Sequence, residues 1–358
     1  MKVIIDPRSN YPYGTFYLYG LEQIAGSKNI IYDLNRFRDL GNPADLRFII
    51  QEGERVTKYY IHMNDSYHII EPDYEWCDVY GCVNANFTHC PKEKYPKLVS
   101  LAPSFGIRYE TNFLKAAINT MVTLSSVWKS VLQKSEWNKA TQKNECNKKR
   151  NIKHFFTRRY KAWKNRLPLS AYDNEIKSED DYVFFLSTLW YSDEWNQNDK
   201  TVNLRRAHYV RVCKSIPSIT FEGGLLGDAF SSNQLFADVY TDKRETFANW
   251  LEKTKRSAFV FNTPAFWNCH GWKLGEFLAL GKCIISTPLS NDLPHPLEHG
   301  VNIHFVEENE QSIRDAVEYI LAHPDYRHKL ERGAREYWEK WGTPLASLNL
   351  LRIRNCGL

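Results

Sequence analysis

The stretch FVFNTPAFWNCHGWKLGEFLALGKCIIST, residues 259–287, constrains the fold more than any other part of the chain. Phe259, Val260 and Phe261 form a short apolar run closed by the turn signal Asn262-Thr263-Pro264, which reads as a buried strand. A polar loop follows at Asn268, Cys269, His270 and Gly271. The period then changes: Leu274, Phe277 and Leu278 fall at i, i+3 and i+4, one face of a helix, with Gly281 as its stop. CIIST, closed by Pro288, is a second buried strand. Strand, loop, short helix and strand at this spacing make a parallel βαβ unit, and the expected fold class is α/β.

Ligands of open parallel α/β sheets sit at the carboxyl ends of the strands. The loop before Trp272 lies at such an end, and its N–H groups together with the helix N-terminus favour an anion such as a diphosphate. Glu276, one turn inside the helix, would accept hydrogen bonds from two sugar hydroxyls if it faced the loop.

A Gly in a polar loop, a short helix with Glu before a small-residue "A-x-G-K" step, and a strand ending in Ser/Thr together resemble the donor site of group 1 (GT-B, retaining-type) glycosyltransferases. The specific run NCHGWKLGEFLALGK, followed by LPHPLEHGVNIHFVE, looks like the transferases of bacterial capsular and exopolysaccharide loci. The resemblance is good over about residues 181–340. It implies two Rossmann-like domains facing across a cleft, the C-terminal one binding a nucleotide diphosphate sugar. Glu276 matches the second of the family's two Glu, the one that binds the ribose. The first falls on Asn268, whose amide can hydrogen-bond a sugar hydroxyl but cannot hold negative charge beside an oxocarbenium ion.

Length and composition agree with two domains: 358 residues, 43% hydrophobic, with a high aromatic content of 14%. Aromatic faces suit sugars as well as cores. Eight Cys lie scattered in no zinc-ligand pattern, which suits reduced thiols in a cytosolic protein. The N-terminus is too short and polar for a signal peptide, and no apolar run is long enough to span a bilayer. The expected location is cytoplasmic, with at most a peripheral membrane contact.

In order, KVIID (2–6), NIIYDLN (29–35), RFII (47–50), VTKYYIHMN (56–64) and KLVSLAP (97–103) read as strands, with a helix ending at Gly26 after the first. VTKYYIHMN is either a fourth strand or a hairpin partner of the third. Strands alternating with helices predict a first, doubly wound α/β domain over residues 1–175. It has no G-x-G-x-x-G, so a dinucleotide oxidoreductase is not expected. In glycosyltransferases of this fold the N-terminal domain binds the acceptor. The strand-end candidates here are Tyr11, Tyr13 and Gly14, then Asn64 and Asp65, then Ser104 and Phe105. Asp65 would be the general base of an inverting reaction, or else a turn cap.

A helix over 112–135 leads into a basic segment. From Lys129 to Arg166 there are 13 Lys/Arg against two Glu, +11, whereas the whole chain is +5, so the remainder is −6. Interleaved Trp137, Phe155, Phe156, Tyr160 and Trp163 make it either a solvated insertion or a patch for an anionic membrane surface, which a lipid-linked acceptor would suit. A nucleic-acid partner is not expected, because the more specific motif is the donor-type loop.

Residues 171–180, AYDNEIKSED, read as the linker to a donor domain over 176–341. Its first strand, DYVFFLSTLW, carries Ser187 and Thr188 where the family has Gly-Arg; Lys200, Arg205 and Arg206 are the substitute cations for a diphosphate. SITFEGGLL (218–226) is a strand whose Gly223 and Gly224 allow close ligand approach. KRETFANWLEKTKRS is an amphipathic helix, and two helices split near Pro324 follow the last strand. The fold implies that residues 342–358 cross back to the first domain.

The resulting expectation is a glycosyltransferase in surface polysaccharide synthesis, moving a sugar from a nucleotide diphosphate sugar to a saccharide or lipid-linked oligosaccharide. Glu276 would take the ribose. Asn268, His270 and Gly271 would take the sugar and diphosphate, while Lys273, Arg205 and Arg206 offset phosphate charge. No D-x-D is placed for Mg²⁺ and no cofactor is expected, helix dipole and cations serving instead. The alternatives are a sugar-nucleotide epimerase or phosphorylase, or a non-catalytic glycan- or partner-binding scaffold with a degenerate donor site.

Overall fold

The computed structural model describes residues 1–110, 112–132, 152–173, 176–190, 196–227 and 234–354. These form two α/β units, residues 1–170 with 344–358 and residues 171–343.

The first unit opens with β1 (Lys2–Ile5), α1 (Tyr11–Ala25), β2 (Ile30–Tyr32), β3 (Leu46–Glu52), β4 (Arg55–His62), α2 (Glu71–Trp76), β5 (Val79–Cys82) and β6 (Leu98–Ser100). α3 (Phe113–Leu132) and α4 (Ile152–Asn165) complete its N-terminal part. The strands form one six-stranded sheet in the order β2-β1-β3-β4-β5-β6. It is not wholly parallel. β3 runs antiparallel to both β1 and β4, because a short turn at Gly53 joins β3 and β4 as a hairpin, a connection too short for a parallel crossover. β5, an apolar run between Asp78 and Asn84 that the sequence reading does not assign, lies parallel between β4 and β6.

The second unit contains β7 (Tyr182–Thr188), α5 (Asn196–Ser215), β8 (Thr220–Leu226), α6 (Phe247–Arg256), β9 (Val260–Asn262), α7 (Trp272–Ala279), β10 (Ile284–Ser286) and β11 (His304–Phe305). α8 (Glu310–Ala322) and α9 (Pro324–Tyr337) follow. β9 and β11 both pair parallel with β10, and β7 pairs parallel with β8. The core lies between these strands and α5, α8 and α9. In it Tyr209 stacks on Phe261 with centroids 4.5 Å apart, and Phe185 meets Tyr209 edge-on. α10 (Pro344–Leu350) belongs to the first unit. It packs on α1 where Gly20 leaves room for Leu348 and Pro344.

The described residues of the expected linker, 171–173 and 176–180, belong to the second unit. Tyr172 is 1% exposed within the second unit. Glu179 pairs with Arg256 at 2.5 Å, Asp180 with Arg327 at 2.5 Å, and Ser178 donates to Glu331. Glu179 and Asp180 of this acidic segment are thus paired with cations of α6 and α9. Among the described residues no helix is long and apolar enough to cross a membrane.

Candidate functional site

The carboxyl ends of β7 and β9 and the N-terminal turn of α7 surround a cavity of about 270 Å³ in the second unit. α5 sets one wall. Asn203 clasps the backbone of Trp190 from both sides, accepting from its N–H at 3.1 Å and donating to its carbonyl at 2.9 Å. Arg206, one turn further on the same face, donates to the carbonyl of Thr188 at 2.8 Å. Lys273, in the first turn of α7, donates to the carbonyl of Leu186 at 2.6 Å. Two cations from different helices are thus fixed on alternate carbonyls of one strand and face one cavity, which Gly271 and Trp272 also line.

The electrostatics of this pair are unusual. Arg206 is 7% exposed, and burial lowers its pKa to about 10. Burial and the neighbouring Arg206 lower Lys273 to about 7, against a partial pull upward from Glu276. Neither makes an ion pair among the described residues. Two cations held in a shared, partly desolvated site want an anion.

The turn that leads into α7 is tightly made. Ala265 N–H donates to the Cys269 carbonyl at 2.9 Å, and Trp267 and Asn268 sit consecutively in the left-handed region at φ 53° and 59°. Such backbone strain clusters at functional sites. Asn291 donates to the Asn268 carbonyl at 3.2 Å and its own backbone is hydrogen-bonded to His270. At the ends of β9 and β10, Asn262 donates to Ser286 at 2.9 Å and Thr287 to Thr263 at 3.0 Å.

The candidate residues separate on this geometry. Thr188, Arg206, Gly271 and Lys273 line the cavity. Arg205, its side chain turned about 100° around α5 from Arg206, pairs with Glu308 at 2.5 Å and does not line the cavity. Gly223 and Gly224 do not line the cavity either. They lie within β8 at φ 113° and 148°, where a Cβ would meet the Phe185 carbonyl oxygen at 2.0 Å and the Val239 carbonyl oxygen at 2.6 Å. The close approach they permit is that of neighbouring backbone. Lys200 falls in α5, with its side chain outside the described ones. Asn268 is exposed, whereas His270 is buried and does not line the cavity; burial lowers its pKa to about 4, so it is neutral at pH 7. Glu276 lies buried behind the first turn of α7, where its carboxylate accepts from the Tyr172 hydroxyl at 3.0 Å.

In the first unit the strand-end candidates differ in burial, and Tyr13 and Asp65 lie close enough for their charges to interact. Tyr11, Tyr13 and Gly14 fall in the first turn of α1 rather than in a loop, because Pro12 fits a helix start. Tyr11 is buried with its hydroxyl on Glu110, Tyr13 is exposed, and the Gly14 Cα lies against Leu46. Ser104 and Phe105 are buried. Asp65 is exposed, and its charge raises the pKa of Tyr13 after burial, the larger cause.

Beside Asp65 lies a buried cluster that the sequence does not signal. His62 Nε2 donates to Asn64 Oδ1 at 2.8 Å and its Nδ1 accepts from Tyr80 at 2.9 Å. Asn64 in turn donates to Asp45 at 3.2 Å. Burial lowers His62 to about 4 and raises Asp45 to about 7, the latter against backbone hydrogen bonds at Met63 and Asn64. Asp45 in "NPADL" has the look of any turn aspartate; only the return of β3 beside β4 buries it.

No family model and no curated protein sequence matches the chain. Among solved structures it is similar to a glycosyltransferase from Rickettsia africae ESF-5, with TM-score 0.40 and 11% identity over 80% of this chain and 67% of that one. It is also similar to UDP-GlcNAc 2-epimerase from Neisseria meningitidis bound to UDP-GlcNAc, with TM-score 0.39 and 11% identity over 79% of this chain and 62% of that one. A third is HepE of Anabaena in complex with UDP and glucose, with TM-score 0.40 and 10% identity over 82% and 70%. The chain spans less than two thirds of the epimerase's length.

Proposed function

We propose that the second unit binds a nucleoside diphosphate sugar and that the protein is a GT-B-type glycosyltransferase. The observation that carries this reading is the placement of Arg206 and Lys273 on the Thr188 and Leu186 carbonyls, both lining one cavity at the ends of parallel strands. Each keeps further N–H donors beyond the one on the strand, so a diphosphate between them would bridge two cations. The α7 N-terminus adds its own positive field.

In such a transfer the bond from the sugar's anomeric carbon to the diphosphate breaks with its electron pair on the phosphate oxygen, the acceptor oxygen bonds that carbon, and the acceptor proton passes to the departing diphosphate. Charge grows on the diphosphate as its bond breaks. Cations fixed beforehand stabilise that charge without reorganising, and no metal is needed for this part. Lys273, whose pKa burial lowers to about 7, is held in its charged form when the anion arrives. Capsular or exopolysaccharide synthesis, a saccharide or lipid-linked acceptor, and metal independence all belong to this proposal.

The buried Glu276, already engaged by Tyr172, and the exposed Asn268 favour one rival, a binding scaffold that holds a nucleotide without turning it over. The test is a thermal-shift and calorimetric panel of UDP-, GDP-, ADP-, CMP- and dTDP-sugars, with EDTA and then with Mg²⁺. A ligand at about 100 times its Kd stabilises the fold by about 2.7 kcal/mol. A shift with one nucleotide class, lost in Lys273→Met and in Arg206→Met, is expected in EDTA. No shift at millimolar ligand overturns the donor reading, and binding without hydrolysis or transfer favours the scaffold.

A further inference from the structure

The first unit holds a larger cavity, about 380 Å³, between α3 and α4 with Tyr11 of α1 on its lining. That is within the size range of small-ligand pockets. Its walls are mainly apolar, with Phe113, Ala116, Met121, Phe156 and Trp163 among them, and one cation, Arg159, lines it.

Arg159 is 6% exposed. Its guanidinium carbon lies 4.0 Å from the Tyr11 ring centroid and 5.1 Å from that of Phe155. These aromatic faces offset part of the cost of burying the charge but accept no N–H in the guanidinium plane. Arg159 makes no ion pair among the described residues, and its Nη1 is buried without a hydrogen-bond partner. Glu110, the carboxylate on Tyr11, is occupied by the Tyr11 hydroxyl and by Asn119 at 3.4 Å. The indole N–H of Trp163 is a second buried donor without a partner. Two buried donors at the cavity wall therefore lack partners, while the side-chain acceptors in the lining are hydroxyls, among them those of Thr120, Thr157 and Tyr160, and no carboxylate lines it; buried polar groups in native proteins are nearly always satisfied.

The mouth is apolar too. Phe113, Met121 and Tyr160 line the cavity and remain 57%, 60% and 47% exposed. A free inorganic anion would give up its hydration to enter among these groups. A molecule with one anionic head and a hydrocarbon chain satisfies both features.

We infer that the α3–α4 cavity is a binding site for a single-chain anionic amphiphile, its head on Arg159 and its chain between the two helices. The site lies in the other unit from the donor cavity and does not rest on the glycosyltransferase reading.

The test is isothermal titration calorimetry on the whole chain, below micelle concentrations, with dodecyl phosphate, dodecanoate, dodecanol and inorganic phosphate. At least one of the two anionic amphiphiles is expected to bind one per chain, about tenfold or more tighter than dodecanol, the gain of a charged hydrogen bond. Dodecanoate against dodecyl phosphate tells a fatty-acid head from a phosphate head. Inorganic phosphate is expected to give no heat at millimolar concentration. Arg159→Gln should bring the anions down to the level of dodecanol. Ala117→Leu, which fills the cavity and keeps the charge, should weaken all the chain-bearing ligands about tenfold. Should Arg159→Gln fail to fold, Ala117→Leu and the head-group series still decide. Equal affinity for dodecanol and the anions, binding of many molecules per chain, competition by inorganic phosphate, or no effect of Ala117→Leu overturns the inference.

Discussion

The ammonium of Lys273 donates to the carbonyl of Leu186 at 2.6 Å, joining residues 87 positions apart. This bond fixes the first turn of α7 against the end of β7. It also places a poorly solvated cation beside Arg206, and the chemistry of the site follows from that proximity.

Lys273 has two linked consequences. Its folded pKa, about 7, lies below its ordinary value of 10.5, so between these values the unfolded chain holds more protons and stability rises with pH. Lys273→Met should therefore be more stable than the parent near pH 6, with the advantage shrinking toward pH 10. Urea titrations across that range check it. In the parent, affinity for pyrophosphate should fall as pH rises through about 7, with proton uptake on binding near neutrality, seen by calorimetry in buffers of different ionisation enthalpy. Lys273→Met should lower that affinity about tenfold or more. A pH profile of pyrophosphate affinity that is the same in Lys273→Met as in the parent would mean the anion does not reach Lys273.

The Tyr172–Glu276 bond ties the segment after residue 170 to α7. Tyr172→Phe leaves a buried carboxylate one donor short and should cost about 1–3 kcal/mol in urea unfolding. If Glu276 turns to a ribose when nucleotide binds, Glu276→Gln should weaken a nucleoside diphosphate by about tenfold yet leave pyrophosphate unchanged. Equal losses for both would place Glu276 in the fold rather than in the nucleoside site.

Gly223→Ala should cost about 3 kcal/mol or more. At φ 113° a side chain is strained, and its Cβ would overlap the Phe185 carbonyl oxygen at 2.0 Å. The loss should appear as a lowered Tm whether or not ligand is present. A variant with unchanged Tm and lost nucleotide binding would restore this glycine to the ligand site.

Asp45 gives the opposite pH signature to Lys273. Its folded pKa, about 7, lies above its ordinary 3.8, so the folded chain holds the extra proton and this contribution is lost as pH rises from about 4 to about 7. His62, lowered to about 4, works the other way over much of the same window and masks the effect in the parent. Asp45→Asn, which removes only the first, should gain stability relative to the parent as pH rises across that range. A constant difference between the two proteins from pH 4 to pH 8 would show that Asp45 does not titrate there.

The order and class of the elements were legible because they rest on local physics. Short apolar runs such as Phe259–Phe261 and Tyr182–Leu186, bounded by turn or polar residues, favour buried strands, and the spacing of Leu274, Phe277 and Leu278 favours one buried helix face. The resemblance at the α7 turn suggested Lys273, Lys200, Arg205 and Arg206 as phosphate cations without distinguishing among them. What the sequence could not decide was direction and partnership. Arg205 and Arg206 are adjacent and chemically identical, yet helix rotation sends one to Glu308 and the other to the cavity. The Gly223-Gly224 pair reads the same whether a ligand or the Phe185 backbone fills the space beside it. Asp45 and Arg159 look like a turn aspartate and one more charge in a basic run. They become a carboxyl with a raised pKa and a buried cation facing an apolar cavity only when residues distant in sequence enclose them. Periodicity is a property of neighbours along the chain, whereas desolvation and charge pairing depend on neighbours in space, and those the tertiary structure alone supplies.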